Sequence, residues 1–109
     1  MEQYVPPQGV YFLYNNRQLV YVGQTNDILR RISEHSKSKR FDDWRYVECD
    51  NETTREALEC LLIYMLKPKY NVNQPHAYMV RKSKDVLIQA KAKTKVSDLI
   101  EFTLKGGVA

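Results

Sequence analysis

Gly9-Val10-Tyr11-Phe12-Leu13-Tyr14 and Leu19-Val20-Tyr21-Val22 are two β-branched and aromatic runs separated only by Asn15-Asn16-Arg17-Gln18. Two such runs joined by a short polar stretch, with asparagines that tolerate positive φ, predict a β-hairpin. Its register decides where the tyrosines point, because side chains alternate between the faces of a strand. A three-residue loop, Asn15 to Arg17, pairs Tyr14 with Gln18 and sets Tyr11 directly opposite Tyr21 on one face. A two-residue loop sends the two tyrosines to opposite faces. The three-residue register is the expected one. Pro6 and Pro7 mark the start of the folded unit.

Gly23 ends the second run, and Asn26 or Asp27 can cap a helix reaching to about Ser36. Ile28, Leu29 and Ile32 form its expected buried stripe. Arg30 and Glu34 make an i, i+4 pair on its solvent side, while Arg31 and His35, also four apart, fall on the flank of the stripe. A basic loop follows from Ser36 to Arg40, and Trp44 to Cys49 predict a third strand. Thr53-Thr54-Arg55-Glu56 has the capping-box pattern, with Thr53 as cap. The helix it opens runs to about Leu66, before Pro68 forbids continuation, and its expected stripe is Leu58, Leu61, Leu62 and Met65. Glu59 stands out as a carboxylate within the most apolar stretch of the chain. Residues 83 to 105 predict two further helical pieces, the second capped by Ser97 and carrying Leu99, Ile100, Phe102 and Leu104.

The chain has 109 residues, 43% of them hydrophobic and 28% charged, which is the composition of one ordinary globular domain. The run Leu61 to Leu66 is far too short to span a membrane. The N-terminus lacks the basic and apolar segments of a signal peptide, so a cytoplasmic setting is expected. Cys49 and Cys60 form no CxxC pair, which points to reduced, buried thiols rather than zinc ligands. The net charge of +4 is unevenly placed. Residues 1–75 hold 10 basic and 10 acidic residues, whereas residues 76–109 hold 7 basic and 3 acidic. A neutral body with a basic extension suits contact with a polyanion, although on charge alone a solvated lysine-rich helix explains it as well.

Gly9-Val10-Tyr11 and Tyr21-Val22-Gly23 resemble the two signature tripeptides of the GIY-YIG nucleases. Arg31 stands ten residues after Tyr21, where that family's catalytic arginine falls, and His35 four further on, where many members carry His or Tyr. Glu59 lies twelve residues before Asn71, within a segment similar to that of bacterial excision-repair endonucleases holding the metal-binding Glu and a later Asn. The five elements span residues 9–73 in the family's order. One departure is Gln24, since some members carry a lysine just after the second tripeptide.

The resemblance implies an α/β (α+β) domain over residues 1–75, with a small, three-stranded, mainly antiparallel sheet flanked by helices. A basic helical C-terminal extension, residues 76–109, packs on or continues it. The implied activity is hydrolysis of DNA phosphodiester bonds with Mg²⁺ or Mn²⁺ held by Glu59. That chemistry needs a positioned water, a base, and positive charge for the phosphate oxygens. One carboxylate suffices for Mg²⁺ when phosphate oxygen and water complete its shell.

Arg31 fits a bidentate phosphate contact, and Tyr11 and Tyr21 are the candidates for base and phosphate orientation. A tyrosine is a poor base at neutral pH unless cations lower its pKa, and Arg31, His35 and the metal are expected to do that. His35 can take a proton from a tyrosine, and Asn71, rather than its neighbour Asn73, orients backbone or ligand through its amide. Lys37, Lys39 and Arg40, extended by Lys82, Lys84, Lys91, Lys93 and Lys95, are candidate phosphate contacts giving salt-sensitive, sequence-independent affinity. DNA is the expected partner, with RNA left open. Two rival readings stand beside this one. In one the chain is a non-catalytic nucleic-acid-binding module that keeps the fold. In the other it is a protein-interaction domain whose tyrosines are simply core.

Overall fold

The computed structural model describes residues 5–90 together with Asp98 and Glu101. Among the described residues the element order is β1 (Gly9–Asn15), β2 (Gln18–Thr25), α1 (Ile28–Ser36), β3 (Asp43–Glu48), α2 (Glu52–Leu66) and α3 (Ala77–Ala90). The strands form one antiparallel sheet in the order β2-β1-β3, so β1 is central and β2 presents an open edge. This is the expected α+β architecture.

The hairpin register differs from the expected one. The turn has two residues, Asn16 and Arg17, both at positive φ (52° and 66°), and Asn15 pairs with Gln18. Positive φ at both central positions matches the twist of a two-residue hairpin, and asparagine adopts it at little cost. The side chain of Asp42 supports the turn by accepting the Asn16 N–H at 3.1 Å. A two-residue turn should have sent Tyr11 and Tyr21 to opposite faces. It does not, because the register shifts between Leu13 and Tyr14: Tyr14 pairs with Leu19, Leu13 with Tyr21, and Val20 is the extra residue of a bulge. A bulge places two consecutive side chains on one side. Tyr11 pairs with Gly23 rather than with Tyr21, yet the two tyrosines share a face.

Alternation along β1 divides the core in two. Val10, Phe12 and Tyr14, with Val22 of β2, pack on Leu58 and Leu62 of α2. Tyr11 and Leu13, with Val20, pack on Ile28 and Ile32 of α1. The two helices therefore cover opposite faces of the sheet. Burying each such side chain stabilises by about 1.5–3 kcal/mol, so both faces contribute to holding the fold.

In α1, Asp27 is the cap, its carboxylate accepting the Arg30 N–H at 3.2 Å. The buried row is Ile28, Ile32 and His35; Leu29 is half exposed, because a residue one step from Ile28 turns 100° away from a narrow seam. In α2 the cap is Asn51 rather than Thr53, with Asn51 Oδ1 accepting the Thr54 N–H at 2.9 Å. Asparagine caps as well as threonine, and its use starts the helix two residues early. Lys67, in the left-handed conformation just before Pro68, closes α2. Its inner face carries Arg55, Ala57, Leu58, Leu61 and Leu62, while Met65 is exposed. α3 begins at Ala77, ahead of the expected residue 83, and packs along α2 with Val80 and Leu87 turned inward. The second helical piece expected there, with Ser97, Leu99, Ile100, Phe102 and Leu104, lies outside the described residues. Cys49 and Cys60 are free and half-buried. No helix among the described residues is long and apolar enough to cross a membrane.

Candidate active site

The open edge of β2 organises the site. Main-chain groups on that edge need partners, and the segment from α2 to Asn71 supplies them. Asn71 bonds Val22 twice, its Oδ1 accepting the Val22 N–H and its Nδ2 donating to the Val22 carbonyl, both at 2.9 Å. The Tyr70 N–H donates to the carbonyl of Val20, the bulge residue, at 2.8 Å. The carboxyl of Glu59 accepts a backbone hydrogen bond from Gln24. Asn73 is exposed.

Tyr11, Tyr21, Arg31 and His35 meet on the α1 side of this edge. The Tyr11 hydroxyl is 2.6 Å from His35 Nε2, and both side chains are buried. Ring centroids lie 6.0 Å apart for Tyr11 and Tyr21, 5.5 Å for Tyr11 and His35, and 4.8 Å for Tyr21 and His35. The glycines of the two tripeptides make the approach possible. A Cβ on Gly23 would overlap the end of the Tyr11 ring, and one on Gly9 would overlap the Val47 carbonyl. Gly23 is therefore the slot in which the Tyr11 hydroxyl sits.

The charges fall into a pattern. His35 is pushed down to about 4, first by burial and then by the nearby Lys39 and Arg31. It is neutral at pH 7, so Nε2 can accept the Tyr11 hydroxyl proton. Tyr11 is shifted well above its ordinary value, first by burial and then by Tyr21, with Arg31 opposing. The expectation that cations would make this tyrosine more acidic therefore fails in the free protein, where desolvation of the phenolate outweighs the guanidinium. Arg31 is half exposed and bonds Glu34 Oε2 at 2.8 Å, which raises its already high pKa. Glu34 also pairs with Arg30 across 3.4 Å on the solvent side. Glu59 is pushed up to about 7, mainly by burial, with the Gln24 hydrogen bond and Arg31 acting in the other direction.

No group of three or more His, Cys, Asp or Glu side chains stands together among the described residues. The donor set is instead one desolvated carboxyl, Glu59, whose charge is incompletely balanced. That fits a hard divalent cation completed by water and phosphate oxygens, and does not fit zinc.

One residue given no functional role in the sequence belongs to this edge. Arg55, one helical turn before Glu59, is buried, and it donates to Gln24 Oε1 at 3.2 Å, Gln8 Oε1 at 2.9 Å and the Cys49 carbonyl at 3.2 Å. Arg55 and Glu59 thus hold Gln24 from one helix face, one by its side chain and the other by its main chain. The i, i+4 spacing of the pair was the available signal, hidden by reading Thr53–Glu56 as a cap. A cavity of about 250 Å³ beside Gln24 is lined by Gln24, Thr25, Asn26, Glu52 and Arg55. It is polar and open, which suits the backbone of an extended polymer better than an enclosed small molecule. A cavity of about 340 Å³ at the hairpin end, lined by residues such as Arg17, Leu66 and Lys69, contains none of the candidate residues.

Of the candidate phosphate contacts, Lys37 and Arg40 are exposed just beyond α1, and Lys82 and Lys84 are exposed on α3. Lys39 is half-buried, with its ammonium 5.0 Å from the centre of the Tyr21 ring. Lys91, Lys93 and Lys95 lie outside the described residues.

Residues 7–74 match the family model described as the GIY-YIG catalytic domain. The UvrABC system protein C of Fervidobacterium nodosum is 30% identical over 80 residues, a stretch that covers 65% of this chain and 14% of that protein. The corresponding protein of Clostridium botulinum is 31% identical over 77 residues, covering 59% and 12%. This chain therefore spans only a small part of the length of these relatives. Among solved structures, a point mutant of the GIY-YIG N-terminal endonuclease domain of UvrC from Thermotoga maritima, bound to its catalytic divalent cation, superimposes with a TM-score of 0.54. That match has 24% sequence identity and covers 63% of this chain and 89% of that one, which establishes a shared fold.

Proposed function

The chain belongs to the GIY-YIG family, and on that premise we propose that it is a metal-dependent endonuclease hydrolysing DNA phosphodiester bonds. Tyr11, Tyr21, Arg31, His35 and Glu59 form its reaction centre, Asn71 holds its backbone, and Mg²⁺ is its metal, with Mn²⁺ able to replace it. The observation that carries this reading is the buried Tyr11–His35 hydrogen bond, 2.6 Å long, beside a half-exposed Arg31 within electrostatic reach of a desolvated Glu59. A packing tyrosine needs no imidazole in its unprotonated state, and a surface carboxylate is not lifted to about 7.

Arg31 binds a non-bridging oxygen of the scissile phosphate, leaving Glu34 for a partner of greater charge. As a water oxygen bonds to phosphorus and the bond from phosphorus to the leaving sugar oxygen breaks, the water's proton passes to the Tyr11 oxygen while the Tyr11 proton passes to His35 Nε2. No free phenolate is required at any stage, which removes the obstacle set by the high pKa of Tyr11. His35 binds protons weakly in the free protein because Lys39 and Arg31 face it. A phosphate held among those cations lifts its proton affinity when the proton must be taken. Glu59 would hold the divalent cation, which when bound would supply positive charge for the phosphate and the leaving oxygen. Tyr21 closes the site opposite His35 and orients the phosphate. Lys37, Arg40, Lys82 and Lys84, with Lys91, Lys93 and Lys95, contact flanking phosphates and give affinity that falls with salt.

Cleavage of supercoiled, linear, single-stranded and branched DNA, in Mg²⁺, Mn²⁺ or EDTA and beside Glu59→Ala, tests the proposal. Metal-dependent nicking that vanishes in the variant supports it. Salt-sensitive binding without cleavage in any metal would replace it with the non-catalytic module.

A further inference from the structure

Arg31, His35 and Lys39 follow one another at i, i+4, i+8. α1 ends at Ser36, but the Lys39 N–H still donates to the His35 carbonyl at 2.8 Å, which is the i to i−4 bond of one more helical turn. The helix face that carries Arg31 and His35 therefore continues past the helix end to Lys39. The next residue is tied down as well, since the Tyr70 hydroxyl donates to the Arg40 carbonyl at 2.8 Å. Lys39 is thus placed by folded backbone on both sides. Lys37, by contrast, is exposed, and Lys39 is half-buried.

The ammonium of Lys39 has no carboxylate within ion-pair distance among the described residues. It rests 5.0 Å from the centre of the Tyr21 ring, itself 4.8 Å from the His35 ring. A cation over an aromatic face at a partly solvated site is held weakly, and less strongly than by a charge-assisted hydrogen bond to a phosphate oxygen. The rest position is therefore one the ammonium leaves when a phosphate arrives, with a four-carbon stem long enough to follow it. The site also needs that charge. Arg31 shares its guanidinium with Glu34 at 2.8 Å, and the residue following the second tripeptide, Gln24, is neutral and already engaged by Arg55.

We propose that Lys39 is a catalytic residue of this site, its ammonium moving from the Tyr21 ring to a non-bridging oxygen of the scissile phosphate as a second cation beside Arg31. This rests on the nuclease reading and gives Lys39 a role distinct from that of Lys37 and Arg40, which touch neighbouring phosphates.

Steady-state cleavage by the wild-type chain, Lys39→Met, Lys39→Arg and Arg81→Met separates the possibilities, the last being an exposed α3 residue whose loss changes net charge equally. The expected result is a kcat lowered roughly 10- to 100-fold in Lys39→Met. Its KM stays within about threefold of wild type, since the interaction is made chiefly in the transition state. Lys39→Arg recovers most of the rate, and Arg81→Met matches the wild type. A raised KM with unchanged kcat in Lys39→Met makes it a flanking contact and overturns the inference. His35 gives a readout that does not depend on turnover. In NMR titration of free Lys39→Met its imidazole takes up a proton at higher pH than in the wild type, and an unchanged titration likewise overturns the placement. A wild-type chain that cleaves nothing defeats the nuclease reading, whereas a cleaving wild type beside an unimpaired Lys39→Met defeats only the role of Lys39.

Discussion

β1 carries two fully buried tyrosines three residues apart, and they face opposite sides of one sheet. Tyr14 points into the α2 side, among Val10, Phe12, Val22, Leu58 and Leu62, and its hydroxyl has no hydrogen-bond partner among the described residues. Tyr11 points into the α1 side, and its hydroxyl bonds His35. Burial raises the pKa of both. The α2 face is an apolar layer that tolerates a stranded hydroxyl, whereas the α1 face is built around polar partners. The alternation of a single strand thus gives its two tyrosines different surroundings, and substitutions at the two should part accordingly.

The sharpest break falls on the edge where the faces meet. Arg31→Ala and Glu59→Ala should each lower metal-dependent cleavage by about a thousandfold, with unfolding midpoints near that of the wild type. Cleavage within a few-fold of wild type in either variant would remove that residue from the reaction. Next, the apolar layer is probed by Leu62→Ala, which should cost about 3 kcal/mol in urea unfolding, against about 2 kcal/mol for Ile32→Ala on the other face. A reversed order would show that the α1 side is the mechanical core.

The tyrosine pair gives the direct contrast. Tyr11→Phe should slow cleavage about 100-fold and cost about 1 kcal/mol of stability by leaving the His35 nitrogen without its partner. Tyr14→Phe should leave cleavage unchanged and hold or raise stability by up to about 1 kcal/mol, because it removes an unsatisfied buried group. Equal behaviour of the two in melting and cleavage assays would erase the distinction.

The smallest effect is one of pH. Glu59, with a folded value of about 7 against an ordinary 4.5, binds a proton more tightly in the native chain than in the unfolded one. Stability from this group is therefore greatest below the unfolded value and lost as pH rises from about 4.5 to 7. Metal binding must expel the same proton, so Mn²⁺ affinity measured by calorimetry should fall about tenfold per unit below that value and level off above it. Glu59→Gln should abolish the binding and flatten the stability profile. A profile unchanged by that substitution would place the titration elsewhere.

The order of elements and the sheet were legible in the sequence because hydrophobic period is a local signal, and the resemblance pointed to Tyr11, Tyr21, Arg31 and His35, which the fold brings together, and to Glu59, which lies within electrostatic reach of Arg31. What escaped depends on contacts between distant segments. The turn and the bulge are two irregularities that compensate each other, so the expected loop was wrong while the shared face of Tyr11 and Tyr21 was right. Asn51 and Thr53 are equivalent caps locally, and only the docking of α2 chooses between them. Leu29 and Met65 look buried by composition but fall outside narrow helix seams. Arg55 binds residues 31 and 47 positions away, as Gln24 and Gln8, which no local pattern encodes.

Asn71, by bonding both main-chain groups of Val22, does with one carboxamide what a fourth strand would otherwise do. A strand left open on that side is a template for the strand of another molecule. The same two bonds that hold the peptide between Tyr21 and Gly23 therefore occupy, with the Tyr70 bond to Val20, the position at which a second copy would add to the sheet, so one short segment serves both the geometry of the reaction centre and resistance to self-association.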